Sequence, residues 1–595
     1  MATTDLHMHL MPYDYYADQP KNGTGLAQLI PLIERLRAEA GATTLLCDNG
    51  DVLQGTPMAD HLAETMSEWS AHPMITVMNT LGYDAMTLGN HEFDYGLHFL
   101  EQALSAAVFP VVSANLQIAG AKTPPHPFVI LHRTVETTAG TDSPIRIGIT
   151  GVAPPQIALW DKAKHGGAVE TQDIVAAARA VVPQMRAAGA DIVIMLCHAG
   201  LGAAEHSPGM ENAAIPLATV PGIDALIMGH THRIFPDAAA ECQGPVNHDH
   251  STIHGVPAVM PACFGQSLGV IDLELEKSAE GWKVRDHNVS HLWSDPATPP
   301  SVLPAPAAAA HDATLAAMAA PVAVTTQPIH SYFATIRPDM AQQLLADAAT
   351  ALVRENLKDS VDMELPVLAA TSPLLLGTRR GPIKNIAIPP GPITRRNVSA
   401  ICPYADPVCA VRCTGAQIRA WLERSAAHYN QLHPDVGDQP LINPDSPGYN
   451  CDTLHGLTYT FDLSQPARFD VLGNPSDVGE GRVQSLLHHG RAVNDTDIFL
   501  IVTNSFRANG GGSFPAFDSA NIAYQSAEAA RDVLLSFLQR LGTFEATLRP
   551  VWEFAAVPGS AATFDAAPEA LDHIAEPAVP AIASIDAPGT FKLRW

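Results

Sequence analysis

Gly89-Asn90-His91-Glu92-Phe93-Asp94-Tyr95-Gly96 breaks the apolar run Tyr83-Asp84-Ala85-Met86-Thr87-Leu88 with a glycine, an amide, an imidazole and then a carboxylate. These groups can converge on one small volume at the end of a strand. Such a grouping suits a metal site with an adjacent His–Asp pair that handles protons. Taken alone, the stretch reads equally as a strand-to-helix turn, because Asn, Gly and Asp are the usual turn residues. The neighbouring segments decide between the two readings.

Outward from this stretch, the first 295 or so residues alternate short apolar segments with amphipathic ones, the pattern of an α/β domain. The spacing predicts helices over Gly25–Ala40 and Thr171–Gly189. Strands are predicted at Thr43–Cys47, Ala85–Leu88, Ile145–Thr150, Asp191–Cys197, Ala225–Met228 and Ala258–Pro261. Four of these strands run into polar, glycine-bearing sequences: Asp48-Asn49-Gly50-Asp51, Gly89-Asn90-His91, His198-Ala199-Gly200 and Gly229-His230-Thr231-His232. Asp5-Leu6-His7 is a fifth candidate. Ligand sites in α/β sheets form outside the carboxyl ends of strands, so the coincidence points to one shared site.

The donors are Asp5, His7, Asp51, Asn90, His198, His230 and His232. Alternation along an extended chain puts Asp5 and His7, and likewise His230 and His232, on one side. Oxygen donors mixed with imidazoles suit Mn, Zn, Fe or Co rather than calcium or a thiolate-bound structural zinc. Seven donors exceed the needs of one tetrahedral ion, so two divalent metal ions are expected, able together to polarise a phosphoryl group. A single histidine after a strand is usually a turn or core residue; four of them in matching positions are not. His248, His250, His488 and His489 lie in polar loops or turns and are set aside, as is His9. Glu92 is expected to be an exposed carboxylate.

The bulk composition fits this chemistry. A chain of 595 residues needs more than one core. The net charge of −27 argues against nucleic-acid polymers and acidic membrane surfaces as partners. No apolar run reaches the ~20 residues that span a bilayer. The eight cysteines form no CxxC pair. A disulfide framework is not expected, although Cys402, Cys409 and Cys413 are close enough in sequence for one pair. No signal peptide is visible, and only Met1-Ala2-Thr3-Thr4 precede Asp5, short for a strand that delivers two ligands; a start placed too late or a trimmed chain is the expected explanation.

The domain reading is a catalytic domain over 1–298, an Ala/Pro-rich connector over 299–328 with a helix at Ala308–Ala320, a second domain over 329–556 and an Ala/Pro-rich tail over 557–595. Within the second domain, helices are predicted at Asp339–Glu355 and Ser526–Leu541, and strands at Leu457–Phe461, Ile498–Val502 and within Ala546–Ala555. The tail, poor in basic residues, is expected to be loosely ordered.

The set Asp5-Leu6-His7, Gly50-Asp51, Gly89 to Asp94, His198 and Gly229 to His232 resembles the calcineurin-like metallophosphoesterases. Tyr13 to Tyr16, Gln54-Gly55, Leu441 to Asp445, Gly448-Tyr449-Asn450 and Asn504 to Gly512 extend the likeness to the bacterial 5′-nucleotidase family, and within it to the 2′,3′-cyclic-nucleotide 2′-phosphodiesterase/3′-nucleotidases. The resemblance implies an N-terminal β-sandwich with flanking helices and a C-terminal α+β substrate-binding domain. It implies Asp5, His7 and His232 on one metal, Asn90, His198 and His230 on the other, and Asp51 between them. His91, oriented by Asp94, would serve the leaving oxygen. Tyr449 and Phe506 would sandwich the base of a small-molecule nucleotide, and Arg379, Arg380 and Arg507 are candidates for phosphate or ribose contact. The family further implies the periplasm, with the cytoplasm the alternative if the start of the chain is genuine; a monomer is expected. A 5′-nucleotidase or nucleotide-sugar hydrolase shares every metal residue, and a catalytically lapsed nucleotide-binding protein is a more distant alternative.

Overall fold

The computed structural model describes the chain except residues 41–43, 161, 241, 279–280, 377–384, 405, 477–480, 515–516, 518, 575–581, 588 and 595. It divides into two compact units, Met1–Ala317 and Met318–Trp595.

The first unit is a sandwich of two sheets. In one, Ala2–Thr3, Cys47–Asp48, Ala85–Thr87 and Val111–Val112 lie parallel in that order, and the antiparallel hairpin Ser267–Ser278/Gly281–Trp293 pairs with Ala2–Thr3. In the other, Asp142–Val152, Ile192–Cys197, Ala225–Met228 and Val256–Val259 form the parallel centre. The period of two in a strand explains why these central segments are apolar almost throughout. Ile192 and Leu196 face the first sheet with Ile145, Ile147 and Ile149, where they meet Ala2, Cys47, Ala85 and Val112. Val193, Met195 and Cys197 face outward and are covered by the helix Ile174–Ala187 through Val175, Ala178, Val182 and Met185. That helix starts where the Asp173 carboxylate accepts the Ala176 N–H, a standard N-cap. The helix Leu26–Ala40 buries Leu26, Leu29, Ile30 and Ile33. The expected sandwich with flanking helices is therefore present. The strand expected at Thr43–Cys47 is only Cys47–Asp48, and part of its predicted start lies outside the described residues.

The second unit is built on the mixed sheet Thr453–His455, Val367–Thr371, Ile498–Asn504, Pro407–Thr414 and Ile522–Ala529. Alternation again splits its strands between two layers. Val408, Ala410, Leu500 and Val502 pack with the helices Met340–Asn356 and Ala530–Leu541. Cys409, Val411, Cys413, Phe499 and Ile501 pack with Trp421 and Leu422 of the helix Gly415–Ala426. The first four residues of the helix expected at Ser526–Leu541 belong to the strand Ile522–Ala529, which pairs with Pro407–Thr414. Trp552–Phe554 does dock as a strand, parallel to Thr458–Phe461.

The connector carries the expected helix, at Ala305–Ala319, of which Ala307, Ala310 and Thr314 are buried and the His311 Nδ1 meets the Tyr15 hydroxyl at 2.8 Å. One expectation is corrected. The tail is not loosely ordered. Ala561–Asp565, Ile582–Ala587 and Thr590–Arg594 form a sheet with Gln439–Pro440, and Phe564, Phe591 and Leu593 enter the core of this unit. Three large apolar side chains suffice to fix a segment whose average composition is weakly apolar. All eight cysteines are free, Cys402, Cys409 and Cys413 included.

A candidate two-metal centre

Five strand ends of the first unit converge. The Asp5 N–H donates to the Gly50 carbonyl at 2.9 Å and the His7 N–H to the Asp51 carbonyl at 2.8 Å, which zips the first two ligand loops together. The His230 N–H donates to both Asp5 oxygens at 3.1 Å, and the His91 N–H to Asp51 Oδ1 at 2.8 Å. Glycine makes the approach close enough. A Cβ on Gly89 would lie 2.2 Å from Asp51 Oδ1 and 2.7 Å from the His198 ring, and one on Gly229 would lie 2.7 Å from Asp5 Oδ2. Asp5, His7, Asp51, His230 and His232 all have φ between 44° and 69°, five of the fifteen non-glycine residues with positive φ among those described. Strained backbone of this kind persists where the surroundings over-determine it, and it clusters at functional sites.

Three overlapping groups have ligand atoms within 4.8 Å of one another: Asp5, His7 and His232; Asp51, His198 and His230; and His7, Asp51 and His91. The first two are the halves expected from the sequence, and Asn90 joins the second with its Oδ1 3.0 Å from His230 Nδ1. Asp5, Asp51, Asn90, His7 and His198 are buried. The outer ring nitrogens are tied. His7 Nδ1 donates to the Gln54 carbonyl at 3.0 Å, and His198 Nδ1 to the Asn49 carbonyl at 2.7 Å. Each ring is thereby fixed in the tautomer that turns a bare Nε2 inward.

The donors fit divalent ions on their own geometry. His198 Nε2 is buried without a hydrogen-bond partner although Asp51 Oδ2 lies 3.0 Å away. His7 Nε2 and His232 Nε2 face each other at 3.0 Å, with Asp5 Oδ1 3.4 Å from His232 Nε2. Lone pairs aimed at one another across such gaps are arranged for cations, and imidazoles with carboxylate and amide oxygens suit borderline divalent metals. Against the cost of burial, the facing imidazoles hold the Asp5 and Asp51 carboxyls below their ordinary range.

His91 stands beside this set, its ring 5.0 Å from that of His7. Its Nδ1 is 2.9 Å from Asp94 Oδ2, and Lys164 Nζ lies 3.5 Å from the other Asp94 oxygen. Burial opposes charge on the imidazole, but the Asp51 and Asp94 carboxylates outweigh it and raise the group to about 10.

Glu92 corrects the expectation of an exposed carboxylate. It is fully buried and accepts the N–H groups of Gly89, Asp51, Val52 and Leu53 at 2.6, 2.8, 2.6 and 3.2 Å. It pins the Asp51 loop to the Asn90 loop. Burial raises its pKa, with Asp51 adding to the effect. His9 turns away and packs on Phe264, with ring centroids 4.4 Å apart. Glu211 and Trp160 were not anticipated. Glu211 Oε1 lies 2.8 Å from His230 Nε2, and the Trp160 ring stacks on His230 at 6.1 Å and 19°. Glu211 sits in an irregular loop and Trp160 ends the short helix Ile157–Trp160, neither long enough to carry a periodic signal.

In the second unit, Tyr449 lies in the turn Gly448–Asn450 and Phe506 in the short helix Ser505–Ala508. Their centroids are 6.4 Å apart, but the rings cross at 79°. A base between two parallel rings needs about 7 Å, so the expected sandwich is not formed by the rings as they stand, with Phe506 half-exposed. Arg507 is not available for phosphate. It is buried, donates to Asp452 Oδ1 at 2.8 Å and to the Tyr449 and Gly511 carbonyls, and lies 3.8 Å over the Phe514 ring. It braces the two loops that carry the rings. Arg379 and Arg380 lie outside the described residues.

The family model for calcineurin-like phosphoesterases matches residues 1–233, and that for the 5′-nucleotidase C-terminal domain matches residues 321–519. A 2′,3′-cyclic-nucleotide 2′-phosphodiesterase/3′-nucleotidase of Salmonella typhimurium is 35% identical over 90% of this chain and 85% of its own. The trifunctional nucleotide phosphoesterase protein YfkN of Bacillus subtilis is 38% identical over 95% of this chain, which spans 39% of that protein's length. The fold is that of a putative 5′-nucleotidase from Staphylococcus aureus, with a TM-score of 0.68, 20% identity and coverage of 93% of this chain and 98% of that one. The chain belongs to the 5′-nucleotidase family of calcineurin-like phosphoesterases, which use divalent metals, in company with the 2′,3′-cyclic-nucleotide 2′-phosphodiesterase/3′-nucleotidases.

Proposed function

We propose that the protein is a two-metal phosphohydrolase that opens 2′,3′-cyclic nucleotides to 3′-nucleotides and then dephosphorylates these to nucleosides. The observation that carries this reading is the convergence of Asp5, His7 and His232 on one side and Asn90, His198 and His230 on the other, with Asp51 grouped with His198 and His230 and its Oδ2 3.7 Å from His7 Nε2. Similarity to the Salmonella enzyme supports the choice of substrate.

Divalent ions in such a site neutralise phosphoryl oxygens and lower the pKa of water. The protein groups do the rest. His7 and His198, locked by the Gln54 and Asn49 carbonyls, keep their lone pairs inward. Water adds to phosphorus in line with the 2′-oxygen, the P–O2′ bond breaks, and the proton needed by the departing oxygen comes from His91 Nε2, the nitrogen left over from the bond to Asp94. The proton lost by the attacking water returns His91 to its charged form, and in the second reaction His91 gives a proton to the departing 3′-oxygen. Tyr449 and Phe506 hold the base, a stacking mode that tolerates all bases.

Manganese, zinc, cobalt or iron each suits the donor set. Among the described residues no helix is long and apolar enough to cross a membrane. We place the enzyme in the periplasm as a monomer that acts in nucleotide catabolism, without nucleic-acid or membrane partners. Product analysis with 2′,3′-cyclic AMP, 3′-AMP, 5′-AMP and UDP-glucose in the presence of Mn²⁺ tests the substrate assignment. The first two should be consumed in sequence to adenosine. Preferred cleavage of 5′-AMP or UDP-glucose would overturn it.

A further inference from the structure

His230 is held differently from the other inward-facing imidazoles. The outer nitrogens of His7 and His198 rest on neutral backbone carbonyls, whereas His230 Nε2 meets the carboxylate of Glu211 at 2.8 Å. With Nε2 engaged, Nδ1 is the atom left to face the ions, and it is the one that lies 3.0 Å from Asn90 Oδ1. The loop bearing Glu211 is anchored at the same strand end as His198. The next residue, Asn212, accepts the Gly200 N–H on its side-chain oxygen at 2.7 Å, and a Cβ on Gly200 would come within 3.0 Å of that oxygen. Trp160 closes one face of the His230 ring. A carboxylate on the outer nitrogen of a ligating histidine fixes its tautomer and raises its basicity, and losing such a group costs roughly 10–100-fold in metal affinity.

We infer that Glu211 is a positioning residue for one of the two ions: it sets His230 as an Nδ1 donor and tightens the Asn90/His198/His230 half of the centre. This rests on the two-ion reading above. The other half, made by Asp5, His7 and His232, has no contact with Glu211 among the described interactions and should not feel its loss.

The test is calorimetric titration of chelator-stripped protein with Mn²⁺ for the wild type, Glu211→Ala and Glu211→Gln, alongside the thermal midpoint of each metal-free form. The wild type should bind two ions. Glu211→Ala should weaken one of them by roughly 10–100-fold and leave the other unchanged. Glu211→Gln should fall between, because its amide oxygen still accepts the Nε2 proton but carries no charge. Metal-free midpoints should coincide. Two wild-type affinities in Glu211→Ala, or equal weakening of both together with a lowered metal-free midpoint, would overturn the inference. A wild type that binds fewer than two ions would instead defeat the two-ion reading itself.

Discussion

Replacing Glu92 with Gln tests how the centre is held together. The carboxylate takes four backbone N–H groups, two on each oxygen: Gly89 and Asp51 on Oε2, Val52 and Leu53 on Oε1. Glutamine keeps one accepting oxygen and turns an NH₂ group toward the other pair of donors. Two bonds to a charged acceptor, at about 1.5–3 kcal/mol each, set the loss at about 3–6 kcal/mol. Relief of the burial that raises the pKa of Glu92 offsets part of this and moves the result to the low end. Urea unfolding of the metal-free protein, followed by a probe confined to the first unit such as Trp69 or Trp282 fluorescence in a variant lacking the remaining tryptophans, should show the change. Metal affinity should fall with it, because the Asp51 and Asn90 loops lose their common anchor. A variant within about 0.5 kcal/mol of the wild type, the level of an ordinary surface substitution, with both ions retained, would refute the reasoning.

Other substitutions separate the roles assigned above. His91→Ala should reduce kcat by about 10²–10⁴ with both ions still counted by elemental analysis; loss of metal along with activity would make His91 a ligand instead. Phe506→Ala should raise KM by the equivalent of about 1–3 kcal/mol at nearly constant kcat, read from initial rates with 3′-AMP. Arg507→Met should destabilise the second unit by about 3–5 kcal/mol, because among the described interactions it leaves the buried Asp452 carboxylate with the Trp421 N–H alone, at 2.7 Å; denaturation detects this, and a folded variant with altered phosphate affinity alone would restore Arg507 to the substrate.

The cluster of candidate donors was legible because its signal is local: polar groups at i and i+2, each behind an apolar strand whose period fixes where it ends. The α/β layering was legible from the same alternation, whereas the sandwich was expected only from the family resemblance. Glu92 was misread because its four partners include a loop some forty residues earlier, and nothing near it in the sequence announces buried N–H groups. Arg507 was misread in the opposite direction. An arginine before a glycine-rich loop looks like a phosphate contact until Asp452 and the Tyr449 carbonyl are seen to fold over it. Glu211 gave no signal at all, since it reaches His230 from a polar loop. The folded tail was hidden by averaging: alanine and proline dominate its composition, while Phe564, Phe591 and Leu593 decide its structure.

The central claim is that Asp51 bridges two ions held by the other six donors. A crystal structure of the Mn²⁺-loaded protein, with anomalous scattering recorded at the manganese edge, tests it most directly. Two peaks about 3.5–4 Å apart, with Asp51 between them and His91 outside both coordination shells, are predicted. A single peak, or His91 directly ligating a metal, would contradict it.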